Sequence, residues 1–206
     1  MIALGQLLTD VDASVERTST PDRARALSRL TDLFVRGADA FDAEQVALLG
    51  AVMERFAAAI EIEARIELAD RLAGLGKAPS GLILKLADDE IAVARPVLVR
   101  SPRLDDAALV AVARGRGRDH MLAICEREML SPLVTDVLVA EGDGVVRHAV
   151  AGNAGARFSS AGAARLVAFA RTDEGLGEVL AGRGDLPEEA VRQLVAIAKA
   201  RARRRL

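Results

Sequence analysis

The side chains best suited to chemistry in this sequence are two histidines, one cysteine and three acidic pairs. His120 and His148, joined by a carboxylate such as Asp119 or Glu126, carry the donor types of a divalent-metal site. They fall on segments that read as the second helices of adjacent helix pairs, but two positions out of register, so spacing alone does not face one toward the other. They are read here as surface or partly buried structural histidines. Asp88-Asp89, Asp105-Asp106 and Glu188-Glu189 each stand at the start of an amphipathic run, where negative charge offsets the helix dipole and caps free N–H groups. Adjacent carboxylates are in any case a poor source of the opposed pair that glycoside chemistry requires.

Cys125 sits in the apolar run Met121-Leu122-Ala123-Ile124-Cys125, beside Glu126 and Glu128. Neighbouring negative charge disfavours a thiolate, so a buried inert thiol is expected, and a lone cysteine closes no internal disulfide. Gly115-Arg116-Gly117-Arg118 precedes a helix and could seat a phosphate there, but one Gly/Arg turn is a weak signal. Arg183-Gly184-Asp185 reads as a helix stop and turn. Nothing in this set assembles a catalytic constellation; the expectation is a non-enzymatic protein with no metal and no cofactor.

The elements that must position these residues are helices. Hydrophobic residues make up 51% of the chain but aromatics only 2%, so Ala, Leu and Val carry the apolar load, as closely packed helices require. Four stretches align: Val97-Leu98-Val99-Arg100-Ser101, Ala123-Ile124-Cys125-Glu126-Arg127, Ala149-Val150-Ala151-Gly152-Asn153 and Val179-Leu180-Ala181-Gly182-Arg183. They are offset by 26, 26 and 30 residues. A period of this size holding two helices predicts an all-α fold, an α-solenoid of degenerate helix pairs. Leu104, Leu130, Phe158 and Leu186 recur between pairs and are expected to anchor the inter-repeat turns.

The helices expected are 2–18, one opened by Thr20-Pro21-Asp22, one from Asp42 to Ala73 broken near 60–63, then pairs 79–87/90–100, 105–114/118–129, 132–140/144–153 and 160–170/173–182, with a last helix from 187. Asp88-Asp89 should cap the helix from Glu90, and Pro96 should bend that helix or restart it after Arg95. Residues 1–60 read as an N-terminal helical segment, a cap or a homodimerisation surface, and 61–206 as the repeats.

A formal charge of −2 gives no global field to attract nucleic acid or an anionic membrane. Of 28 basic residues only Lys77, Lys85 and Lys199 are lysines; the arginines mostly alternate with Asp and Glu, as on solvated faces. The densest positive segment runs from Lys199 through Arg201, Arg203, Arg204 and Arg205. It suits a grip on nucleic acid or an acidic partner, and equally a final helical turn whose cations offset the dipole. No run approaches a membrane span, and the start lacks a signal peptide's pattern, so a cytoplasmic protein is expected.

The stretch from Leu86 to Leu98, with Ser101 and Leu104 after it, resembles the recurrent core of a bacterial family called domain of unknown function 2336. Arg65 to Ala73 and Asp185-Leu186-Pro187 are similar to its flanking elements, and Asp143 to Asn153 resembles a HEAT-type second helix. The resemblance spans roughly residues 60–195 and implies HEAT-like helix pairs without a catalytic signature. Family members tend to be longer, which leaves room for the chain to be the N-terminal part of a larger protein.

The expected function is therefore a protein–protein interaction or regulatory scaffold. Its partner face would run along the second helices through Arg95, Arg100, Arg118, Arg127, Arg147 and Asn153. The alternative is a nucleic-acid-binding repeat protein that uses its arginines and the basic tail.

Overall fold

The structure, a computed structural model, describes residues 9–10 and 13–205, with side chains described as far as Arg203. Much of the expected 2–18 helix, including residues 1–8, Val11 and Asp12, lies outside the described residues; 13–17 are helical. The fold is all-α. Its named helices are α1 (Thr20–Gly37), α2 (Ala43–Ala57), α3 (Ile62–Leu72), α4 (Ser80–Ala87), α5 (Ile91–Arg100), α6 (Asp106–Gly115), α7 (Arg118–Cys125), α8 (Pro132–Glu141), α9 (Gly144–Gly152), α10 (Ser160–Ala170), α11 (Glu174–Ala181) and α12 (Glu188–Arg205).

Local capping fixes most helix starts. Asp42 and Gln45 close a reciprocal capping box on α2, and Ser131, Asp143, Ser159 and Asp173 each accept a backbone N–H in the first turn of α8, α9, α10 and α11. Caps of this kind contribute about 1 kcal/mol each. Two expectations shift. Ser19, not Thr20, is the N-cap of α1. The N-cap residue of α5 is Glu90, without a side-chain bond of its own; Asp89 accepts the Glu90 N–H at 2.7 Å and is also engaged by Arg65 of α3. The long run from Asp42 does break, between Ala57 and Ile62.

The chain divides into two compact units, residues 1–105 and 106–206. In the first, α1, α3 and α5 form one row and α2 and α4 another, each helix also packing on members of the other row. Leu27, Phe34, Met53, Leu72, Leu82, Ile83, Leu86 and Leu98 are buried between them. α5 runs through Pro96 without restarting. The N–H that proline lacks would have bonded the carbonyl of Ala92, a residue exposed to solvent, where an unpaired acceptor is hydrated at little cost.

In the second unit α6, α8, α10 and α12 form one row and α7, α9 and α11 the other. Ile124, Leu138, Leu166, Leu176 and Leu180 fill the layer between the rows. The turn anchors sit as expected: Leu104 and Leu130 are buried, and Phe158 and Leu186 pack on Ala163, Val167 and Ala190. Successive turns are themselves joined. Leu130 N–H donates to Gly155 O (3.2 Å) and Arg157 N–H to Leu130 O (2.9 Å), an isolated parallel bridge between two connections.

Gly155 is required by this approach, because a Cβ there would overlap the Glu128 carbonyl, a backbone group that cannot swing aside. Gly155→Ala should lower the free energy of unfolding by about 2 kcal/mol, the middle of the range for forced overpacking. Urea titration followed by circular dichroism measures it; an unchanged midpoint would mean that the two turns part freely.

Candidate partner-binding surfaces

The polar position that ends each aligned stretch serves, in two of its four cases, as a joint between successive turns. Its occupants are Ser101, Arg127, Asn153 and Arg183. Asn153 Nδ2 donates to Cys125 O and Arg127 O, both at 2.7 Å, while its Oδ1 accepts from Gly155 N–H at 2.7 Å. One amide thus takes the last carbonyl of α7 and that of Arg127 just beyond it, and closes its own turn. α7 stops at Cys125 and does not run to Met129 as the sequence suggests: Glu126 N–H turns back to Ala123 O, Arg127 N–H to Ile124 O, and Asn153 holds the Cys125 carbonyl.

Arg183 does the same one step later. Its Nη1 donates to Ala151 O (2.8 Å) and Asn153 O (2.6 Å), and its Nη2 to Ala156 O (2.7 Å). Nε and Nη2 also grip Asp185, which holds that carboxyl below its ordinary range. The guanidinium lies 4.9 Å from the centre of the Phe158 ring, and the side chain is only 8% exposed. Its donors are thereby taken by three backbone carbonyls and a carboxylate, as an enclosed guanidinium requires. Arg127, half-buried, has its pKa pulled below the ordinary value by desolvation, with nearby Asp106 opposing.

A second contact links successive second helices. Arg118 of α7 meets Asp143, the N-cap of α9 (3.3 Å), and His148 of α9 meets Asp173, the N-cap of α11 (2.8 Å). In the first unit Arg65 of α3 meets Asp89, just ahead of α5 (2.7 Å). The bond from the Val146 N–H lowers the Asp143 pKa most, and the bond from the Leu176 N–H lowers that of Asp173, with His148 adding to it.

The sequence-derived partner residues therefore serve several ends. Arg95 is exposed on α5, and Arg100 at the end of that helix meets Asp70 at 2.5 Å. Arg118 is exposed and paired. Arg147 turns inward, with its guanidinium 3.6 Å from the Phe169 ring centre and Nε donating to Val139 O. Asn153 is spent on its joint, and Arg127 is half-buried. Arg95 and Arg100 belong to the first unit and the other four to the second. In the tail, Lys199 and Arg203 are exposed on α12, whereas Arg201 donates to Ala170 O. The Arg204 and Arg205 side chains lie outside the described residues.

His120 is buried in α7, and burial pushes the Cys125 thiol up to about 12, so it is protonated and inert at neutral pH. Among the described residues no three His, Cys, Asp or Glu side chains converge as metal ligands. No helix among them is long and apolar enough to cross a membrane.

Two grooves went unseen in the sequence because they depend on which helices pack together. One, about 670 Å³, lies against α2 and α4 over Val46, Ala47, Gly50 and Ala51, with Lys77 and Arg103 also among its lining residues. The other, about 390 Å³, lies between α11 and α12.

The lowered carboxyls fix a pH dependence. A group whose folded pKa is depressed contributes stability above its unfolded value, near 4, and loses it as pH falls through the folded value. Unfolding free energy should therefore drop from about pH 5 downward. Asp143→Asn and Asp173→Asn keep the cap but remove the titration, so each should flatten that slope in urea titrations at stepped pH. A slope identical to the parent's would show that these caps do not carry it.

The family model described as an uncharacterised protein conserved in bacteria (DUF2336) matches residues 93–206. The resemblance read from Arg65 to Ala73 lies ahead of that segment. No curated protein and no solved structure matches the chain. With more than half of its length matched, and with the joints at Asn153 and Arg183 inside the matched segment, the chain belongs to the DUF2336 family.

Proposed function

We propose that this chain is a non-enzymatic interaction module, a degenerate HEAT-like solenoid in the cytoplasm that presents its second-helix row to an acidic segment of a protein partner. The alternating rows of the second unit support the HEAT-like reading, since α6 packs on α7, α8 on α9 and α10 on α11, and each helix packs on the next one in its own row.

One observation carries the functional reading: the second-helix row is lined with shallow, exchangeable ion pairs. Arg118 and Asp143 are 53% and 48% exposed, and His148 and Asp173 are 37% and 38% exposed. Pairs this exposed contribute about 0–1 kcal/mol, so an incoming carboxylate can replace the internal one at small cost. The Arg118 guanidinium, held in place by Asp143, is ordered before the partner arrives, which lowers the entropy lost on binding.

Affinity capture with the intact chain, followed by mass spectrometry, tests this when run beside two variants. Arg118→Glu should abolish or greatly weaken recovery of the specific partner, while Arg165→Glu, on the exposed face of α10, should leave it unchanged. Equal loss in both, or in neither, contradicts the proposed face. A titration with duplex DNA separates the other reading, in which Lys199 and Arg203 grip phosphates: that reading requires binding that weakens steeply with salt.

A further inference from the structure

We infer that the groove between α11 and α12 is a self-association surface, filled by α12 of a second copy packed antiparallel across a two-fold axis. α11 packs on both α9 and α10 and only lightly on α12. The groove between α11 and α12 is open and lined by Leu180, Val191, Leu194, Val195 and Ala198.

α12 has two apolar stripes. Ala190, Leu194 and Ile197 face inward and pack with Ala163 and Val167 of α10. Val191, Val195, Ala198 and Ala202 recur at helical spacing along the groove, with Val191 42% and Val195 47% exposed. A single helix paired on one side needs only the first stripe. The second, made of small residues, permits a close helix-to-helix approach.

Charge selects the occupant and its direction. α12 begins with Glu188 and Glu189 and ends with the exposed Lys199 and Arg203. Antiparallel packing about an axis between Val195 and Ala198 sets Val191 against the partner's Ala202 and Val195 against the partner's Ala198. It also places Glu188 beside the partner's Arg203, twice by symmetry. A parallel pair would stack acid on acid and base on base. The helix is thus complementary to its own reverse, an isologous contact that needs no other protein.

Sedimentation velocity on the 206-residue chain over a concentration series tests the inference. A concentration-dependent dimer is expected. Val195→Glu should yield a monomer with unaltered helical content, since that side chain faces solvent in a single copy. Glu188→Arg should weaken the dimer about tenfold, and adding Arg203→Glu to it should restore the parent affinity by exchanging the signs of the pair. The charge swap decides the matter even if Val195→Glu disturbs folding. A chain that stays monomeric at all concentrations overturns the inference. So does a dimer indifferent to the charge swap and to Val195→Glu, which would place the contact elsewhere, residues 1–60 included.

Discussion

The second-helix row of the second unit depends on satisfying the carbonyls at its helix ends. A short helix leaves its last carbonyls without intrahelical partners, and here those ends are shut in between successive turns. Asn153 and Arg183 meet part of this need by reaching back to the preceding turn, the first to Cys125 and Arg127, the second to Ala151, Asn153 and Ala156. Because each donor sits at the end of its own second helix, the same bonds that complete one helix fix the position of the next. Gly155 is needed where this brings two backbones together, and the bridge between Leu130 and Ala156 is the consequence.

The electrostatics of the molecule follow from that arrangement. Most of the described arginines are exposed, but several are directed inward or along the row. Arg183 is enclosed, Arg147 lies over Phe169 and Arg65 holds Asp89. A chain with almost no aromatics and many alanines has thin apolar layers, and polar joints with good geometry supply the specificity that large side chains would otherwise give. The pairs Arg100 with Asp70, Arg118 with Asp143 and His148 with Asp173 stay at the surface, partly or largely exposed.

How far the sequence discloses this depends on distance along the chain. Helix starts were legible because a cap lies within three residues of what it caps: Asp42 with Gln45, Ser131 ahead of Pro132, Asp143 and Asp173. The turn anchors Leu104, Leu130, Phe158 and Leu186 were legible because their period repeats. Helix ends were harder. The end of α7 is held by Asn153, 28 residues beyond Cys125, and no local pattern announces that. The role of Asp89 was hidden in the same way, since its partner Arg65 is 24 residues upstream. The signal for the joints was present as an aligned polar residue closing each of four apolar stretches. Its chemistry varies from Ser101 to Arg127, Asn153 and Arg183, so Asn153 read as part of a partner face and Arg183 as a helix stop, when both join successive turns. The grooves beside α4 and α12 arise from packing between rows, which periodicity does not specify.

The central claim is that these polar joints, more than the apolar layers alone, lock the helices of the second unit together. Replacing Arg183 by methionine keeps a side chain of similar length but leaves three carbonyls and Asp185 without their donor. Equilibrium urea unfolding of Arg183→Met beside the parent measures the cost. A loss of about 3 kcal/mol is predicted, at the low end for breaking a buried, multiply bonded charge. A loss of less than about 0.5 kcal/mol, the range of an ordinary surface change, would contradict it.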